Sequence, residues 1–124
     1  MVLQYPVLAG LVNNGDEPVK LSELSLEHQS LDFVLLTPDG RKIHYIGECE
    51  FFCPEQIILE PGESHEIIID ITNSYFGDKN GLYDFNTLGE YLIKGYYKSL
   101  ISYPSGVPQY KLLTSEIHSF TIEE

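Results

Sequence analysis

Four histidines, His28, His44, His65 and His118, and two cysteines, Cys49 and Cys53, are the side chains of this chain best suited to act as bases, nucleophiles or soft metal ligands. A hydrolase needs a nucleophile, a base within hydrogen-bond reach and a group that orients the base. Ser64 and His65 are neighbours in sequence, and in an extended segment neighbouring side chains point to opposite faces, so they form no dyad. There is no Gly-x-Ser-x-Gly elbow. Cys49 and Cys53 lack the second ligand pair that structural zinc sites bring from elsewhere in a chain. If their segment is extended they stand about 13 Å apart at 3.3 Å per residue, beyond the roughly 7 Å limit for a disulfide; a turn there would close the pair. Asp78, Asn80 and Asp84, with Asp70, form an oxygen-rich set of the type calcium takes, but the spacing departs from the EF-hand pattern and a solvated turn is the plainer account. His118, between Ile117 and Phe120, reads as a partly buried structural histidine. The expectation is a chain with no catalytic residue, no metal and no cofactor: not an enzyme.

Charge narrows the partners. Nineteen acids stand against seven bases, a formal charge of −12, and Ile43 to Asp78 contains acids but no Lys or Arg. Such a field repels phosphate, so neither nucleic acid nor an anionic membrane is an expected partner. No window reaches the run of about eighteen apolar residues that a membrane helix requires, and the N-terminal MVLQYPVLAGL lacks a basic segment leading into an apolar one. With no Asn-x-Ser/Thr acceptor and only two cysteines, a cytoplasmic setting is favoured over a secreted one, although a removed signal peptide would leave the same trace.

Those residues must be held by strands. Helical periodicity is nearly absent, and short β-rich runs alternate with turn signals, the pattern of a sandwich or barrel. In His65 to Ile71 alternation sends Ile67, Ile69 and Ile71 to one face and Glu66 and Asp70 to the other, with Ile68 as an outward apolar residue. Ile57 to Leu59 precedes Glu60-Pro61-Gly62-Glu63, in which Pro and Gly occupy the positions of a type II turn. Leu31 to Leu36 and Arg41 to Ile46 flank Thr37-Pro-Asp-Gly40 and read as a hairpin. Val7 to Val12 is a first strand, and Pro18 to Leu26 a second that breaks between Leu21 and Leu24. Asn73 to Leu88 is irregular, with room for a short helical turn. A strand opens at Gly89-Glu-Tyr91 and runs to Tyr97 or beyond, and the last spans about Lys111 to Ile122. The chain is therefore expected to be one domain, residues 1–124, an immunoglobulin-like antiparallel β-sandwich of seven or eight strands.

Several of these pieces together resemble a known module. Asn13-Asn-Gly-Asp-Glu-Pro-Val19, Pro38-Asp-Gly40 followed by Tyr45-Ile-Gly47, Leu59-Glu-Pro-Gly-Glu-Ser64, and Gly89-Glu-Tyr91 are similar to the immunoglobulin-like domain that precedes the catalytic domain of deuterolysin-type zinc peptidases. The resemblance spans about Asn13 to Tyr97 and carries turn chemistry and core packing. It implies an accessory module, not the peptidase, whose His-Glu-x-x-His helix has no counterpart here: His65-Glu66 is followed by Ile67-Ile-Ile69. Bacterial intracellular proteinase inhibitors, with a related Pro-Gly-Glu turn and Gly-x-Tyr strand start, are a second similar group. In such sandwiches Tyr91 serves as a structural tyrosine corner, with its hydroxyl bonded to nearby backbone, and Gly89, Pro61 and Gly62 are structural turn positions.

One stretch departs from the acidic background. Gly95 to Leu113 carries Tyr96, Tyr97, Tyr103 and Tyr110, with Lys94, Lys98 and Lys111, and no carboxylate lies between Glu90 and Glu116. If it spans two consecutive antiparallel strands, Ser102 to Gln109 is their connection at one end of the sandwich, where antibody-like domains place binding loops. Tyrosine offers wide contact area with few rotatable bonds, and Pro104 and Pro108 stiffen the backbone. Tyr103, Pro104, Val107, Pro108 and Tyr110 are thus the candidate interaction residues, facing a protein partner or a second copy. Packing of Tyr96, Tyr97 and Ile101 along a long hairpin is the plainer account of the same residues. The expected function is a non-catalytic interaction or accessory module, with a proteinase inhibitor as the alternative.

Overall fold

The computed structural model describes residues 6–48 and 54–123; Cys49 and Cys53 lie outside them. The strands are β1 (Pro6–Val12), β2 (Val19–Ser22), β3 (Leu31–Leu36), β4 (Lys42–Tyr45), β5 (Gln56–Leu59), β6 (Ser64–Asp70), β7 (Phe76–Asp78), β8 (Gly81–Leu82), β9 (Gly89–Ile101), β10 (Gln109–Thr114) and β11 (His118–Ile122), with one 3₁₀ turn at Ile71–Asn73. Every pairing is antiparallel. The larger sheet has the order β10-β9-β3-β4-β7-β8, with β11 also on β9, while β1-β6 and β2-β5 form two-stranded ribbons. The β10-β9-β3-β4 run matches the G-F-C-C′ order of an immunoglobulin-like sheet.

The strand count exceeds the number read from periodicity because single hydrophobic runs are divided locally. The final run is broken at Ser115, where Gly95 N–H donates to Ser115 Oγ at 2.7 Å and Ser115 N–H donates to Gly95 O at 2.9 Å. A side-chain oxygen replaces one ladder acceptor, and β10 and β11 become separate strands on one neighbour. The irregular region supplies β7 and β8, and its helical turn falls at the very start, where Asp70 caps it by accepting from Thr72 N–H.

Alternation sets the core. Odd residues of β9, from Tyr91 to Ile101, are buried with Leu31, Phe33 and Leu35 of β3 and Ile43 of β4. From the ribbons come Val19, Leu21, Leu59 and Ile69, while Ile68 is 72% exposed on the outward face. The Glu60 to Glu63 turn closes with Glu63 N–H on Glu60 O, and Gly62 takes φ +85°, as a type II turn demands. Asn13 ties this corner to the rest. Its Nδ2 donates to Leu59 O and to Glu17 O, both at 2.9 Å, its Oδ1 accepts from Gly15 N–H, and its backbone bonds Glu63 O and Gly62 N–H.

At the opposite end Tyr91 is fully buried. Its hydroxyl donates to Thr87 O at 2.7 Å, and its ring stacks on Phe120 at 5.1 Å with Phe85 and Tyr83 alongside. Gly89, two residues before it, holds φ +126°, and a Cβ there would sit 3.1 Å from Pro38 Cβ, so both backbone and space require glycine.

Candidate interaction surface

The β9-β10 hairpin is built on a rigid base. Ser102 and Lys20 exchange both backbone hydrogen bonds, Tyr97 O–H donates to Ser22 O at 2.6 Å, and Ser99 Oγ accepts from Ser22 N–H at 2.9 Å. These contacts tie the far half of β9 to β2. Burial pushes the Tyr97 hydroxyl above its ordinary range. The plainer packing account thus describes Tyr97 and Ile101, which are buried, whereas Tyr96 is half-buried beneath the Lys94 ammonium, 5.6 Å from its ring centre.

Beyond that base the surface changes character. All six residues of β10 are exposed, an unusual condition for a strand holding Tyr110, Leu112 and Leu113. In the connection Val107 is 81% exposed, Tyr110 70%, and Pro104, Pro108 and Tyr103 are also exposed. Gly106 N–H closes a turn on Tyr103 O, and Ser105 Oγ donates to the Glu17 carboxylate at 2.7 Å. Tyr110 stands opposite Leu100, with Leu112 on the same outward face, while Leu113, opposite Tyr97, turns to the cleft side; sequence reasoning left out these three leucines. Paired apolar neighbours such as Leu112-Leu113 resemble a core signal, and only the tertiary placement exposes both.

Between β1 and the β10-β11 edge runs an open, mainly apolar cleft of about 660 Å³, floored by Leu31, Phe33, Ile93 and Tyr97. His118 lies on its wall and is exposed, not partly buried as its apolar neighbours suggest, because β11 sets it opposite Ile93 on the face where the cleft is open.

The remaining candidates are dispersed. His65 Nε2 accepts from Leu24 N–H at 3.3 Å, and Ser64 is exposed. His44 Nδ1 sits 3.0 Å from Tyr45 O. A serine-histidine contact that the spacing did not signal joins Ser25 Oγ and His28 Nδ1 at 2.9 Å, but the same oxygen accepts His28 N–H, so the contact is a local turn. Asp78 is taken by Arg41, whose Nη2 stands 2.8 Å away, and this partner holds its carboxyl below the ordinary range; Asp84 binds Asn86 Nδ2 and Asp70 binds Thr72. Among the described residues no three His, Cys, Asp or Glu side chains gather into a metal-holding group.

Asp32, on the outward face of β3, differs. Desolvation raises its pKa above the ordinary 3.8, opposed by the Tyr45 and Phe33 N–H groups that its Oδ1 accepts. A raised carboxyl stabilises the fold below pH 3.8 and loses that contribution as pH climbs through the folded value. Asp32→Asn keeps the accepting Oδ1 and removes the charge. Its urea midpoint is expected to exceed the wild-type midpoint at pH 7 and to match it near pH 3; equal midpoints at both would contradict the assignment.

No protein-family model, curated protein or solved structure matches the chain. The likeness to the deuterolysin accessory module and to intracellular proteinase inhibitors therefore rests on turn motifs alone.

Proposed function

We propose that this protein is a non-catalytic interaction module that meets its protein partner through the β9-β10 hairpin. The observation that supports this reading is the fully exposed β10, which presents Tyr110, Leu112 and Leu113 to solvent on a clamped β9. Contiguous exposed apolar surface on a single domain marks contact sites, and tyrosine with proline lowers the ordering cost of binding. The lysines of the hairpin favour an acidic partner.

The test is a triple variant, Tyr103→Ser, Val107→Ser and Tyr110→Ser. These side chains are exposed, so stability should change by no more than about 0.5 kcal/mol per site, while partners that co-purify with wild type are lost. An unchanged partner set together with an unchanged oligomeric state would defeat the proposal. Inhibition of trypsin-like or subtilisin-like proteases by stoichiometric wild-type protein, abolished in the same variant, would replace it with the inhibitor reading.

A further inference from the structure

The hydrogen-bonding direction of each strand residue follows from the bonds just outside the ladders. Gly95 directs its N–H and C=O toward Ser115, whereas Lys98 N–H donates to Ser30 O and Ser102 N–H to Lys20 O, on the opposite side of β9. Because backbone direction alternates along a strand, Tyr97, Ser99 and Ile101 bond β10, and their partners Leu113, Lys111 and Gln109 bond back. Tyr110, Leu112 and Thr114 are left with N–H and C=O groups directed to the outer edge. The same reasoning applies to β1. Asn13 bonds Glu63 O and Gly62 N–H, on the β6 side, so Leu8, Gly10 and Val12 direct their backbone groups away from β6.

Two free edges, one from each layer, thus flank the apolar cleft. Natural sheets protect exposed edges with charges, prolines or bulges. Here β1 has no charged residue and only Pro6 at its start, and β10 has only Lys111. In a chain with nineteen acids, none falls between Glu90 and Glu116, while Lys94, Lys98 and Lys111 do.

We infer that β10 accepts an extended segment of a partner protein as an added antiparallel or parallel strand, lying along the cleft, with acidic residues alternating with apolar ones. This rests on the reading of the hairpin as the contact surface and specifies how it binds. Strand addition satisfies the backbone groups of Tyr110, Leu112 and Thr114, which a small apolar molecule covering the cleft would leave buried and unpaired, at a cost of about 1–3 kcal/mol each. Six residues of β10 match roughly 20 Å of extended chain. Apolar side chains of the added strand face the cleft floor beside Leu113, and its acids, on the other face, meet Lys98, which shares that outward face with Leu100, Tyr110 and Leu112. A second copy fits less well: joining two β10 edges brings Lys98 and Lys111 of both chains to one seam with no carboxylate from Tyr91 to Ser115 to offset them.

Leu112→Pro offers a specific test. It removes an outward N–H and no bond to β9, the one setting in which edge strands tolerate proline. A phage-displayed library of random linear twelve-residue peptides is panned on the whole protein. Enriched sequences should alternate acidic and apolar residues, and a synthetic peptide of the leading sequence should bind about tenfold more weakly to Leu112→Pro and about threefold to fivefold more weakly to Lys98→Glu. On wild type, the peptide should slow amide exchange at Tyr110, Leu112 and Thr114, a readout independent of whether the proline variant folds. Absence of any enriched peptide, enrichment without acids, or binding that leaves those three amides unprotected overturns strand addition. Peptides that bind but respond only to the Tyr103, Val107 and Tyr110 serine variant leave the interaction module standing and remove this mode; serine substitutions without effect on partners remove the module itself.

Discussion

Tyr91→Ala should be the most damaging single substitution in the molecule, lowering stability by about 3–5 kcal/mol, the usual cost of deleting a buried aromatic ring. Tyr91 is fully buried, stacks on Phe120 and contacts Phe85 and Tyr83, so its removal opens a void between β9, β11 and the segment before β9. Tyr91→Phe separates ring from hydroxyl. It keeps the stacking and leaves Thr87 O without its donor at 2.7 Å, and the expected loss is about 1–3 kcal/mol. Urea denaturation at neutral pH measures both. Since a domain of this size has only about 5–15 kcal/mol in total, the alanine variant should melt at least about 10 °C lower. If the phenylalanine variant were as damaging as alanine, the ring cluster would contribute nothing and the account of this end of the sandwich would be wrong.

Asn13→Ala should come next, at roughly 2–3 kcal/mol, although an asparagine in an Asn-Asn-Gly-Asp turn is ordinarily replaceable. Its amide reaches across the ribbons to Leu59 O and back to Glu17 O, and it is buried, so alanine leaves two carbonyls and Gly15 N–H without their partner. Asn13→Asp is the informative companion: it preserves the acceptor for Gly15 N–H but puts carboxylate oxygen against carbonyl oxygen, and should be no better than alanine. Asn14→Ala, at an exposed neighbouring position, should be close to neutral. Equal effects at the two asparagines would mean that the turn, not the cross-ribbon bonds, is what matters.

The contrast between these residues shows what could be read without coordinates. Strand periodicity, the Pro61-Gly62 turn and the outward Ile68 are local properties, set by alternation and by the φ that glycine permits, and they were legible. Tyr91 at the start of a penultimate strand carried a similar signal through its place in the sandwich, and the structure puts its hydroxyl on backbone four residues upstream. Asn13 was legible as a turn former but not as a clamp, because its partner Leu59 lies far along the chain. The hairpin was visible through its tyrosines, lysines and missing acids, yet its extent was not: Leu112 and Leu113 look like core residues until β10 is seen standing outside the sandwich. His118 misled in the same direction: its apolar neighbours suggest burial, and the open cleft leaves it exposed.

The pairing of β1 with β6 carries a consequence for synthesis. Val12 meets Ser64, and Pro6 meets Asp70, so β1 leaves the ribosome more than fifty residues ahead of its partner and waits for it. At about 5–20 residues per second that interval is several seconds, during which an uncharged segment, Pro6-Val-Leu-Ala-Gly-Leu-Val12, is nascent and unpartnered. Slow translation or a crowded polysome should therefore harm the yield of this protein more than its equilibrium stability implies, and a chaperone that shields emerging chains should restore it.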